Sequence, residues 1–177
     1  MKILFMILFL SSCSYNALVV EAAMPIADGG IEALFEESDD EFAREAIPGQ
    51  LKLLDGFLIQ TPRNTKLLTY ASMGYAAYSL GYLEDTDTER ATAMYRRAKN
   101  LGLRALRENS TFAQNENLPI EHFEKSLSAF DKEDVPALFW TGISWGLLIN
   151  LTMDDAKSLV ELPRVEAIML RVQELDP

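Results

Sequence analysis

Thr86-Asp-Thr-Glu-Arg-Ala-Thr-Ala-Met-Tyr-Arg-Arg-Ala-Lys-Asn-Leu-Gly-Leu-Arg-Ala-Leu-Arg107 is the stretch on which the fold turns. Ala91, Tyr95 and Ala98 follow a four-then-three spacing that puts them on one face of a helix. Thr86 with Glu89 reads as a capping box at its start. The acidic start and the basic tail (Arg96, Arg97, Lys99, Arg104, Arg107) both suit a helix dipole. Outward from this helix the same period recurs. Asn64 to Leu83 is long and rich in Tyr and small residues. Gly49 to Gln60 places Leu51, Leu54, Phe57 and Leu58 on one stripe, closed by Thr61-Pro62. Upstream, 14 to 47 reads as one or two helices, interrupted near Asp28-Gly29-Gly30 and at the acidic run Glu36 to Glu41. Downstream, Glu108 to Asn117 reads as a polar linker, a short helix starts from Pro119, Pro136 opens a helix through Leu151, and Pro163 opens the last one. Alternating β-branched runs are few, so the expected class is all-α.

The pairing of these helices has its own signal. Small, aromatic and small residues at fixed steps, with a Glu-Leu-Asp-Pro ending at 174–177, resemble tetratricopeptide units. The second unit would pair Ala137–Asn150 with the last helix, across an insertion at Met153 to Leu162. The expectation is antiparallel helix pairs in a tetratricopeptide-like array or α-solenoid. A further repeat is expected beyond the last helix, so the chain reads as truncated at its C-terminus, with an uncapped apolar face prone to self-association.

Composition narrows the function. The 177 residues are 49% hydrophobic and 24% charged, a globular balance. Sixteen Lys and Arg against 27 Asp and Glu give a net charge of -11, which argues against nucleic acid as a partner. One Cys and one His exclude a disulfide within the chain and a Cys/His zinc site. No catalytic residue, cofactor or metal is expected. His122, between Glu121 and Glu124, reads as solvated. The runs Asp39-Asp40-Glu41 and Glu84-Asp85-Thr86-Asp87 lack calcium-loop spacing.

The N-terminus carries an address. After Met1-Lys2, Ile3 to Leu10 is an unbroken apolar run, too short to span a bilayer and the length of a signal-peptide core. Leu10-Ser11-Ser12-Cys13 follows at once and resembles a bacterial lipobox. Residues 1–12 are then a lipoprotein signal peptide, and 13–177 a helical domain with a lipid on Cys13. Ser14 after the Cys favours the outer membrane.

Aromatic residues supply the candidate contact sites. Tyr75, Tyr78 and Tyr82 stand at i, i+3 and i+7. Phe139, Trp140 and Trp145 sit in the apolar stretch 135–151, where Gly142 and Gly146 read as points of close helix approach rather than a membrane motif. These six residues are candidates for lining a ligand pocket or a partner surface.

Several blocks, in order, resemble the T-component family of TRAP (tripartite ATP-independent periplasmic) transporters, the TatT-like lipoproteins. They are Gly49 to Gly56, Thr61-Pro62-Arg63-Asn64 with Leu67-Leu68, Gly81 to Asp85, Arg97 to Leu106, Asp134 to Gly142, Trp145-Gly146 and Leu162 to Ala167. The resemblance implies a helical periplasmic lipoprotein without catalytic activity that works with a TRAP-type substrate-binding protein and passes a small, apolar ligand. Only the lipidated Cys13 carries over as a residue with a role. Expected partners are that binding protein, a membrane through the lipid anchor only, the small apolar ligand, and further copies of the chain as a homo-oligomer such as a trimer. A ligand carrier or enzyme on a helical-repeat scaffold is the alternative reading.

Overall fold

Three polar residues, Glu37, Ser38 and Asp39, make the first break in the helical chain. The Asp39 backbone N–H donates to Glu37 Oε1 (2.8 Å), and the Asp39 carboxylate accepts from Phe42 N (3.0 Å), capping the next helix. The computed structural model describes residues 2–177, with side chains from Leu18 onward. Cys13 as a side chain lies outside the described residues, as do the side chains of the 1–12 signal stretch. Among the described residues there is no strand, and the class is all-α, a helical array.

The chain divides into two compact units, Met1–Pro62 and Arg63–Pro177. In the first, α1 (Lys2–Glu36) and α2 (Asp40–Gln60) pack together. The interruption expected at Asp28-Gly29-Gly30 is absent: α1 runs through Pro25 and both glycines. No glycine among the described residues takes a positive φ, so the Gly pair stays helical at a cost of about 1 kcal/mol each relative to Ala. The second helix also begins earlier than expected, at Asp40 rather than Gly49, and keeps Pro48 inside it. Ala43, Leu51, Leu54 and Leu58 are its buried residues; Phe57, expected on the same stripe, is half-buried.

The second unit holds α3 (Thr65–Tyr78), α4 (Thr88–Leu106), α5 (Ser110–Asn115), α6 (Ile120–Leu127), α7 (Val135–Leu151), α8 (Ala156–Leu159) and α9 (Leu162–Leu175). Asn64 caps α3 by accepting from Leu67 N (3.0 Å). Its last turn widens into a π-helical turn over Ser79–Leu83. The cap of α4 is Asp87, not Thr86. The Asp87 carboxylate accepts from Arg90 N, while Thr86 Oγ1 donates back to Tyr82 O (2.9 Å). A capping box does occur elsewhere, with Asp131 and Asp134 bracketing a short 3-10 turn. The linker expected at 108–117 contains a helix. Phe112 is fully buried and pulls α5 onto the core, and Asn109 caps that helix while its amide donates to Ala129 O (3.0 Å). One aromatic in a polar run was too little periodicity to announce a helix.

Helices α3, α4, α7 and α9 pack antiparallel in succession, which leaves α3 and α7 running the same way. Ser72 Oγ donates to Ala98 O and Ser79 Oγ to Ala91 O, so α3 and α4 run opposite ways. The four-then-three residues Ala91, Tyr95 and Ala98 are all fully buried, as their spacing predicts. The backbones of α4 and α7 approach so closely at Gly102 that a Cβ there would lie 2.3 Å from Thr141 Oγ1 and 3.0 Å from Thr141 Cα. On the other side of α7, a Cβ on Gly142 would lie 2.6 Å from Met169 Sδ of α9. Gly146 meets only an ordinary contact, Val165 Cγ1 at 3.6 Å. Helix α7 thus packs on α3, α4 and α9, which explains why its sequence is apolar on every side. Its hydroxyls are turned back on the helix: Thr141 donates to Ala137 O and Ser144 to Trp140 O, each at 2.6 Å. Among the described residues no helix is long and apolar enough to cross a membrane.

Candidate functional site

Five of the six aromatic candidates fall into pairs or clusters, but not into one pocket. Tyr75 and Tyr78 are buried on α3, and Tyr82 is half-buried in the π turn. The Tyr78 and Tyr82 rings meet at 5.6 Å, and the Arg97 guanidinium lies 4.5 Å from the Tyr75 ring centre. Phe139 and Trp140 form an edge-to-face pair (5.3 Å, 83°), both half-buried on α7. Trp145 is buried and stands edge-on to Phe123 at 6.5 Å. It belongs to a core shared with Phe112, Phe130, Leu138 and Ile168. His122, as expected, is exposed. Among the described residues no group of three His, Cys, Asp or Glu side chains is placed to hold a metal ion.

A polar junction, which no local spacing announces, is built around Trp145. Helix α4 supplies Lys99, α7 supplies Trp145, and the residue preceding α9 is Glu161. One carboxylate oxygen, Glu161 Oε2, accepts from both Lys99 Nζ and Trp145 Nε1, each at 2.6 Å. The Lys99 ammonium also lies 4.0 Å from the Trp145 ring centre. Lys99 is thereby held between a π face and a carboxylate, with its side chain only 13% exposed. The junction closes one side of a cleft of about 290 Å³ whose rim carries Arg96, Asn100, Lys157 and Ser158. At its far side Thr152 and Ser158 hydroxyls are hydrogen-bonded at 2.8 Å. The sequence did show the basic run on α4, but helix-dipole complementarity accounted for it. What it could not show is that the α7–α9 connection brings Lys157 and Glu161 to the same place.

Two further clefts open on this unit. One, of about 350 Å³, lies between the start of α3 and the start of α7, beside Thr65, Tyr70 and Pro136. The other, of about 310 Å³, lies between α6 and α9, beside Leu127, Leu170 and Arg171. None of the six aromatic candidates lines any of the three.

Other polar contacts tie together the helices of this unit. Arg107 makes a two-pronged contact with the largely buried Glu116 (2.5 and 2.6 Å), and that hydrogen bond raises the guanidinium's already high pKa further. Arg164, at the start of α9, donates to Glu116 O and Leu118 O and stacks over Phe123 at 4.7 Å. The Tyr95 hydroxyl donates to Glu84 (2.5 Å). Burial first, then this hydrogen bond and the carboxylate's charge, push the phenol well above its usual pKa.

On the connection carrying Lys157 and Glu161, Leu159, Val160 and Leu162 are exposed, Val160 to 75%, and Met153 is exposed just before it. No protein of curated function matches the chain. A family model described as TRAP transporter T-component matches residues 36–177, which takes in all of α2 through α9. The chain belongs to the TRAP transporter T-component family.

Proposed function

We propose that this protein is a non-catalytic accessory subunit of a TRAP transporter, a tetratricopeptide-like lipoprotein that docks the substrate-binding protein in the periplasm. The family match over 36–177 carries this reading. The exposed apolar residues Met153, Leu159, Val160 and Leu162 support it, since clustered exposed apolar side chains mark contact surfaces more often than chance surface. Of the aromatic candidates, the half-buried Tyr82, Phe139 and Trp140 keep surface with which to touch a partner; Tyr75, Tyr78 and Trp145 are buried. The lipid on Cys13 holds the subunit at a membrane, the outer membrane by preference. Tethering there raises the effective concentration of a weak partner.

The test is co-purification. The full chain, extracted in mild detergent from cells that make the TRAP system, should bring the substrate-binding protein with it and turn over none of its substrate. Leu159→Asp with Val160→Asp should reduce that yield several-fold while the helical circular dichroism stays unchanged. Failure to recover the binding protein from cells that contain it overturns the docking reading. Cys13→Ser should move the protein from the membrane to the soluble fraction; unchanged fractionation removes the lipid anchor from the proposal.

A further inference from the structure

The cleft beside Lys99 has a charge that runs against the rest of the molecule. The chain as a whole is at -11, yet this cleft gathers Arg96, Lys99 and Lys157 against the single carboxylate of Glu161. Glu161 is already consumed, because its Oε2 accepts from both Lys99 and Trp145. Among the described residues Arg96 and Lys157 have no ion pair. Two uncompensated cations therefore face one concavity of about 290 Å³, the size of a small organic molecule. Neutral donors stand between them. Asn100 offers its side-chain amide. Thr152 Oγ1 has one proton and two acceptors in reach, Leu148 O and Ser158 Oγ, each at 2.8 Å. When Thr152 donates to Ser158, the Ser158 proton is released for a ligand; when it donates to Leu148, Ser158 donates to Thr152.

We propose that this cleft binds a small oxyanion, a carboxylate or phosphate, between Arg96 and Lys157, with Asn100 and Ser158 as neutral donors. A guanidinium fork and an ammonium suit an oxyanion's two or three oxygens, one as a planar pair of donors and one as a point charge. A local positive potential on an acidic protein also selects against cations that the rest of the surface attracts. Lys99 acts as a positioning residue. Pinned by Trp145 and Glu161, it adds charge at the cleft wall without needing to move. An anion seated beside Lys99 changes the electric field at the Trp145 indole, whose ring lies 4.0 Å from that ammonium and whose Nε1 donates to Glu161, which makes Trp145 a reporter of occupancy. Such binding requires no protein partner and stands apart from the docking reading.

The experiment is titration of the full chain in detergent, at low and constant ionic strength, with succinate and with inorganic phosphate. Tryptophan fluorescence and calorimetry are read together, and sodium chloride serves as the control. Saturable binding of either ion, with a change in fluorescence that chloride does not produce, is expected. Succinate binding alone identifies a carboxylate as the ligand class, and phosphate binding alone identifies a phosphate. Arg96→Glu with Lys157→Glu should weaken it at least tenfold. Both side chains are exposed, so the fold should survive, and unchanged circular dichroism checks this. Lys125→Glu, a single charge reversal at an exposed position of α6, should leave binding as it was. The proposal is overturned if neither ion saturates, if chloride gives the same response, or if the double reversal binds as well as the parent.

Discussion

Glycine is used differently in the two halves of the molecule. In Arg63–Pro177, Gly102 and Gly142 lie where helices nearly touch, and a single added carbon would collide with the neighbour. In Met1–Pro62, Gly29, Gly49 and Gly56 have nothing within 4 Å of the place a Cβ would take. Phenylalanines follow the same division. The second unit gathers Phe112, Phe123 and Phe130 into a core with Trp145, whereas the first leaves Phe35 and Phe42 exposed. One unit is built from interlocking surfaces. The other is a helix pair with unused apolar surface and no steric need for most of its glycines.

Gly102→Ala breaks the comparison most forcefully if it fails. The new methyl would meet Thr141 Oγ1 at 2.3 Å and Thr141 backbone Cα at 3.0 Å, so relief requires α4 and α7 to separate. Overpacking of this kind costs about 1–3 kcal/mol, and backbone against side chain puts it near the top of that range. Chemical denaturation should show a midpoint well below the parent's. Thr141→Ala in the same chain should recover only part of the loss, because it removes the hydroxyl but leaves Cα in place. Gly142→Ala should cost less, since the Met169 thioether it meets sits toward the end of a flexible side chain.

Glu116→Gln comes next. Its carboxylate is largely buried and engages Arg107 through two short hydrogen bonds, while Arg107 is itself about half exposed. Water can serve the freed guanidinium, so the loss should be about 1–2 kcal/mol rather than that of a fully buried pair. Arg107→Gln added to Glu116→Gln should cost less than the two losses summed, by the coupling of the pair. Strict additivity would show that the contact contributes nothing.

How much was legible in sequence follows from what periodicity can report. Pro136 and Pro163 announced α7 and α9 because proline fixes first-turn geometry. Ala91, Tyr95 and Ala98 announced the buried face of α4. The Asp28-Gly29-Gly30 break was misread, since glycine permits a turn without requiring one, and the neighbouring residues carried α1 through. Phe112 was missed because one buried ring suffices to hold a six-residue helix once Asn109 caps it. For the candidate sites the aromatic spacing found three buried residues, Tyr75, Tyr78 and Trp145, and three half-buried ones, Tyr82, Phe139 and Trp140. The charged cleft eluded it, because Lys99, Lys157 and Glu161 come from segments up to 62 positions apart, and no local pattern joins them.

Alkaline stability tests the interlocked unit in another way. The folded-state pKa of Tyr95 lies above the ordinary value of 10.0, chiefly through burial. Below that ordinary value the phenol is neutral in both folded and unfolded chains, and the contribution is constant. Above it the unfolded chain loses the proton first, so the folded state binds more protons and stability falls as pH rises. The slope from this one group is at most about 1.4 kcal/mol per pH unit. Thermal melts from neutrality upward should show Tyr95→Phe less stable at neutral pH, by loss of the Glu84 hydrogen bond, yet declining less steeply under alkaline conditions. Parallel declines in the two proteins would remove Tyr95 as the source.

Gly56→Ala is the smallest effect expected and the sharpest control, because the same substitution is made with the opposite sign. Gly56 lies within α2, is exposed, and has no positive φ to protect. Its Cβ would meet nothing within 4 Å, so no overpacking term arises. What remains is the backbone. Glycine loses more conformational freedom than alanine on entering a helix, so alanine should stabilise by about 0.5–1 kcal/mol, largely by restricting the unfolded chain. Raised helicity in circular dichroism and a higher denaturation midpoint are the expected readings. If α2 melts separately from the second unit, the gain should appear only in the transition that belongs to the first. A loss of stability as large as that of Gly102→Ala would mean that α2 is packed as closely as α4, and the division of the molecule into an interlocked unit and an open helix pair would fail.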